Sequence, residues 1–419
     1  MGSIQIGKTV LLIATLDTKE EEALFLKRCI ESEGVHVVLM DAGILSPPHI
    51  QPDIPQTDVA ERGGIPLEKI VAAGDKRECT LNMVRGAEKI TKELYEQDRI
   101  QGVISIGGAQ GTDIGCTAMR ALPTGVPRLM VSTIASGQHQ FGHYVGTKDL
   151  TMMHSVGDIQ GLNFLTKRIL ENAAGAICGM VKVVSGPLMA PVGIPVALSM
   201  LGTTTIGALR AKKMLEEKGF EVVAFHQNGT GGIAMEDMIR EGAFKGVLDL
   251  NLHEVGDRWF GGLHGAIRED RLEAAAETGV PQVVAPGSIT YTVQGALNSL
   301  SDEMKRRKHF AHGPSHTLVR LFPEELKAVG KLVAQKLNKA RGPVKMFIPL
   351  RGFCLPDREG WSNWDPEADQ AFIKALKETI RPSIPVIELD AHINDPEFID
   401  PVVTEFLALL SSSPLRGED

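Results

Sequence analysis

The chain has 419 residues, a net charge of −8 and 43% hydrophobic residues. At roughly 100–200 residues per domain that length predicts two or three domains. The acidic balance without a long basic run disfavours nucleic acid as a partner. No segment approaches the ~18 uninterrupted apolar residues of a membrane span, and no basic leader precedes the first apolar run. Five dispersed cysteines without a CxxC pair fit a reducing compartment, so a cytoplasmic location is expected.

Residues 10–16 form a short apolar run, 20–33 carry Ala23, Leu26 and Ile30 at helical spacing, and 35–40 are β-branched. This predicts strand, helix, strand. After a polar, proline-rich stretch (41–75), the pattern gives a helix over 79–97, a strand over 102–106, a helix over 112–122, a strand over 128–132 and a longer helix over 159–178. Composition shifts at Ser185-Gly186-Pro187, with Pro191, Gly193 and Pro195 following, which sets a boundary between domains 1–187 and 188–419. A second series then runs through strands near 195–201, 221–226, 246–252 and 281–285, with helices between them, and ends in helix, strand (344–350), helix, strand (386–390), helix. Short buried strands alternating with amphipathic helices predict an α/β fold. It would comprise two Rossmann-like subdomains with parallel sheets flanked by helices and a cleft between them. Ligands of such sheets bind beyond the carboxyl ends of the strands, so the turns there carry the functional reading.

Gly2-x-x-x-x-Gly7-Lys8-Thr9 matches the P-loop expression, but nothing precedes it and a strand follows, the reverse of the required strand–loop–helix context. Asp17-Thr18-Lys19 is better placed. Thr18 with Glu21 predicts a capping box, and Lys19 at a helix start is unfavourable unless an anion binds there. Gly107-Gly108-Ala109-Gln110-Gly111-Thr112 follows one strand, and Ser132-Thr133-Ile134-Ala135-Ser136-Gly137 follows the next. The glycines permit close backbone approach to a phosphate, and the hydroxyls can orient a polar ligand. In the second domain Gly229-Thr230-Gly231-Gly232 opens a helix and gives the strongest anion-cradle signal there. Each turn is also explicable as ordinary turn chemistry; their recurrence at one edge favours a ligand.

Histidines cluster near predicted strand ends: His139, His143, His154, His226, His253 and His264. His253-Glu254, with Asp257 nearby, places carboxylates beside an imidazole, a pattern that suits acid–base work. No ligand spacing of the HExxH kind identifies a metal site. Cys116 and Cys354 are candidate nucleophiles, Cys116 reading more readily as a small buried residue within a helix.

The 16–19, 107–112, 131–137, 149–156, 229–232 and 246–250 segments together resemble the Tm-one-like ATP-binding domain family, over nearly the whole chain to about residue 376. The resemblance implies two Rossmann-like subdomains, self-association into a homo-oligomer and ATP binding, with no known reaction. Ala109-Gln110 replaces the usual Ser-Gly of the glycine turn, and Leu201-Gly202-Thr203-Thr204-Thr205 replaces the usual Gly-Val-Thr-Thr-Pro.

Three readings follow. The first is an ATP-binding protein, with an ATP-dependent enzyme acting on a small metabolite as one form of it. It would hold ATP with Mg²⁺ through Asp17, Thr18, Lys19, Gly107, Gly108, Gly111, Thr112, Ser132, Thr133, Ser136, Gly137, Gly229, Thr230, Gly231 and Gly232. The second is a metal- or histidine-dependent hydrolase or lyase with His226, His253 and Glu254 as catalytic residues and a small carboxylated or phosphorylated metabolite in the cleft. The third is a non-catalytic nucleotide binder.

Overall fold

The computed structural model describes residues 7–136, 142–183, 191–265 and 267–412. The chain divides into two units, residues 1–190 and 191–419.

In the first unit the chain runs β1 (Thr9–Ala14), α1 (Leu16–Ser32), β2 (His36–Asp41), α2 (Gln56–Gly63), α3 (Leu67–Ala72), α4 (Lys76–Glu96), β3 (Gly102–Gly107), α5 (Ala109–Arg120), β4 (Arg128–Ser132), α6 (Gly142–Val145), β5 (Thr151–His154) and α7 (Phe164–Val183). The five strands form one parallel sheet in the order β2-β1-β3-β4-β5. Alternate side chains of a strand serve opposite faces. Leu11 and Ile13 pack with Met83, Ile114 and Met119 from α4 and α5, while Val10 and Leu12 pack with Leu26, Ile30, Leu170 and Ile177 from α1 and α7. Both faces are covered, which is why the strands read as continuous apolar runs.

Three details differ from expectation. The capping box does not form: α1 starts at Leu16, and Thr18 lies in its first turn with Oγ1 against the Thr15 carbonyl. Two short helices occupy part of the 41–75 stretch. β5 is a half-buried strand of mixed polarity that paired with β4 only through tertiary structure.

In the second unit the order is β6 (Ile194–Met200), α8 (Thr205–Glu216), β7 (Phe220–His226), α9 (Thr230–Arg240), β8 (Gly246–Asn251), α10 (His253–Trp259), α11 (Ala274–Thr278), β9 (Gln282–Gly287), β10 (Tyr291–Gln294), α12 (Asp302–Arg306), β11 (His309–Ala311), β12 (Thr317–Arg320), α13 (Pro323–Leu337), β13 (Val344–Pro349), α14 (Pro366–Thr379), β14 (Val386–Leu389) and α15 (Pro396–Ser412). Six strands form a parallel sheet, β14-β13-β9-β8-β6-β7, and β10, β12 and β11 form a small antiparallel sheet. Leu198, Leu248 and Val283 pack under Phe398, Val402 and Phe406 of α15. Met346 and Ile348 pack under Val333, Phe372 and Leu376 of α13 and α14 on the other face.

Each parallel sheet has one place where consecutive connections leave in opposite directions. In the first unit β1 lies between β2 and β3; in the second β6 lies between β7 and β8. Such switch points open a crevice at the carboxyl ends, where α/β sheets bind ligands. The turns after β1 and β3, and after β6 and β8, border these two crevices.

Candidate functional site

At the first switch point the turn after β1 is satisfied from within. Asp17 Oδ2 accepts the N–H groups of Ile44 and Leu45, both at 2.9 Å. Lys19 is buried at 8% exposure and donates its Nζ to the Ile159 carbonyl at 2.6 Å. The ammonium expected to neutralise a phosphate thus holds the segment leading into α7, and burial follows from that role. Thr18 is exposed.

The turn after β3 is different. α5 has Gly108 as N-cap and no side chain caps it; its first backbone bond runs from the Thr112 N–H to the Gly108 carbonyl. The first amides of a helix are orphan donors at the positive end of its dipole. A Cβ on Gly107 would come within 2.7 Å of Gly111 Cα, so the turn can close this tightly only with glycine. The hydroxyls of Thr112 and Ser132 share a 2.7 Å hydrogen bond, and Thr112 Oγ1 also donates to the Gly108 carbonyl. Thr133 borders Gly108, and Ser136 bonds His154 Nε2 at 3.2 Å. The structure therefore gathers Gly107, Gly108, Gly111, Thr112, Ser132, Thr133 and Ser136 at one sheet edge and adds His154. Gly137 and His139 lie outside the described residues.

In the second unit the 229–232 turn also opens a helix, but its Gly229 and Gly232 amides are already used. Glu254 Oε1 accepts the N–H of Gly229 at 2.7 Å and of Gly232 at 3.1 Å. The predicted phosphate cradle holds the protein's own carboxylate. Gly232 is required there, since a Cβ would lie 1.6 Å from Glu254 Oε2. Gly231 is required against the His226 carbonyl, and Thr230 bonds Asn228. Glu254 leans on the fully buried Arg271, whose guanidinium forks onto Asp249 at 2.7 and 2.9 Å and reaches Glu236 at 3.2 Å. Burial pushes the carboxyls of Glu236 and Glu254 above the usual range, against the pull of Arg271 and the amides. Glu254, expected as a catalytic residue, is buried and held by two amides and the Arg271 guanidinium. His226 is exposed at the end of β7.

His253 occupies the second switch point with 0% exposure. Its Nδ1 faces the Ser288 carbonyl at 3.1 Å, which assigns the proton to Nδ1 and the lone pair to Nε2. Burial holds the ring neutral, with its pKa lowered to about 4. Ser288, at φ 58°, is one of four non-glycine residues in the left-handed region among those described, and its Oγ bonds Thr203 at 2.7 Å and Asn251 at 2.9 Å. Tyr291 joins this set through Thr203 at 2.8 Å. Among the described residues, no three His, Cys, Asp or Glu side chains converge closely enough to hold a metal ion. Ser288 and Tyr291 had no motif to announce them; Asp257 was legible beside His253, four residues away on one helix face.

Two family models match the chain: the N-terminal domain of the uncharacterised protein family UPF0261 over residues 8–186 and its C-terminal domain over residues 194–410. A UPF0261 protein of Clostridium tetani is 41% identical over 394 residues, covering 94% of this chain and 96% of that one. One from Rhizobium meliloti is 36% identical, covering 95% and 98%. The ToMV resistance protein Tm-1 of Solanum lycopersicum is 31% identical over 431 residues, covering 96% of this chain and 56% of that protein, a relative that agrees with the resemblance carried by the turns. The chain belongs to the UPF0261 family.

Proposed function

We propose that this protein binds a nucleotide, ATP with Mg²⁺, at the carboxyl edge of the five-stranded sheet, with its phosphates over the 107–112 turn. The observation that carries the reading is the uncapped start of α5 beside a switch point, where Gly107 and Gly111 bring the backbone close and the hydroxyls of Ser132, Thr133 and Ser136 line the approach. The comparable turn at α9 is closed by Glu254, so the two glycine turns of the sequence separate into one open and one filled. The Tm-one-like resemblance supports ATP over other phosphates. Mg²⁺ would accompany the phosphates as their counter-ion. Five free thiols support a reducing, cytoplasmic setting.

The test is calorimetry with ATP on wild type and Gly108→Val. A Cβ at Gly108 meets only Thr133 Oγ1, at 3.7 Å, and an unchanged thermal midpoint of the variant shows that its fold is kept. Affinity falls about tenfold or more if a ~1.4 kcal/mol contact is blocked. Absence of binding at millimolar ATP overturns the reading.

A further inference from the structure

The second switch point holds buried acceptors with no donor between them. His253 Nε2 lies 3.8 Å from Asp257 Oδ1, and both side chains are fully buried. Among the described residues Nε2 has no hydrogen-bond partner, and neither has the buried Nδ1 of His264. The His264 ring stands edge-on to His253, centroids 5.3 Å apart. Asp257 is fixed in place: Oδ1 accepts from Thr292 Oγ1 at 2.8 Å and Val293 N–H at 2.7 Å, and Oδ2 accepts from His264 N–H at 2.6 Å. A lone pair on a neutral imidazole facing a carboxylate is unfavourable unless a donor is shared between them, and an orphaned buried polar atom points to a missing partner.

The partner's chemistry follows from the charges. Burial is the strongest influence on both rings, and Asp257 is the charge named beside each of them. An anion would face the Asp257 carboxylate and the lone pair of His253 Nε2, so the arrangement calls for a donor and not for a phosphate. We propose that His253, Asp257 and His264 form a binding site for a small primary ammonium, whose three N–H donors match His253 Nε2, the Asp257 carboxylate and His264 Nδ1. Of the rings around it, His264 and His316 are half-buried, 6.5 Å apart, and form the less buried side of the cluster. This site is independent of the nucleotide reading and lies in the other unit.

The test uses the full chain with ¹⁵N-labelled histidine, titrated separately with ethanolamine and with ethylene glycol, a neutral molecule of nearly the same size. Ethanolamine is expected to shift the Nε2 resonance of His253 saturably while the glycol does not. Asp257→Asn should weaken binding at least about tenfold, the scale of one lost charge-assisted hydrogen bond. Because Asp257 also anchors its loop, His264→Gln, at a half-buried position, is the second variant and should weaken ethanolamine binding with unchanged thermal unfolding. Equal binding of the glycol, preferential binding of inorganic phosphate, stoichiometric zinc lost in His264→Gln, or no shift with ethanolamine would each overturn the proposal.

Discussion

Glu254 accepts two amides and one guanidinium in a region closed to water, so its removal strands both amides, while Arg271 keeps Asp249 and Glu236. A buried donor left unpaired costs about 1–3 kcal/mol. Glu254→Ala is therefore expected to destabilise by about that much in urea unfolding, whereas ATP affinity of the folded fraction is unchanged. Lys19 makes a parallel case at the other sheet. Lys19→Met keeps most of the buried stem but removes the donor to Ile159, and a loss of about 1–3 kcal/mol is expected from an unpaired buried carbonyl and the lost charged hydrogen bond. If stability is unchanged and only ATP affinity falls, Lys19 serves the ligand directly. The sequence read Lys19 as a cation at a helix start awaiting an anion, and Glu254 as a carboxylate beside an imidazole. Which groups would partner them was decided by chain segments far away: the Ile159 carbonyl for Lys19, and the amides of Gly229 and Gly232 with the Arg271 guanidinium for Glu254.

At the scale of elements the two glycine turns respond differently to a methyl group. A Cβ on Gly231 would sit 1.8 Å from the His226 carbonyl, whereas one on Gly108 enters open space apart from Thr133. Gly231→Ala should lower the thermal midpoint by several degrees, on the scale of ~1 kcal/mol per 2–4 °C for a domain of this size. Gly108→Ala should leave it unmoved. Most of the parallel strands were legible because both sheet faces are covered and they are largely apolar runs; β5, of mixed polarity, was not. The antiparallel β10-β12-β11 sheet was not, since its strands are three or four residues long and alternate with polar segments. The αL turn at Ser288 was equally hidden, because serine gives no sequence signal for a positive φ.

At the scale of the whole molecule, pH dependence reports on the second switch point. His253 titrates at 6.5 when unfolded and about 4 when folded. Between those values the unfolded chain binds a proton that the folded chain refuses, so stability is full above pH 6.5 and falls as pH drops towards 4. His264 and His392 are lowered by burial and act in the same direction. Glu236 and Glu254, raised by burial, act oppositely, losing stability as pH rises through their range. Comparing wild type with His253→Gln in urea unfolding at pH 7 and 4.5 isolates the histidine: the variant should lose less stability on acidification. An equal loss in both would mean His253 is charged or accessible in the folded state.

The sequence by itself determined the α/β architecture, the two series of strands and the glycine turns at their carboxyl ends, because periodicity and turn chemistry are local properties. It also carried enough of those turns to resemble its family over most of its length. Tertiary structure alone decided which turn is open and which is filled, since the filling carboxylate comes from another element. It likewise decided that His253 is neutral, buried and without a partner on Nε2. Burial is a property of everything packed around a residue, and no spacing along the chain encodes it.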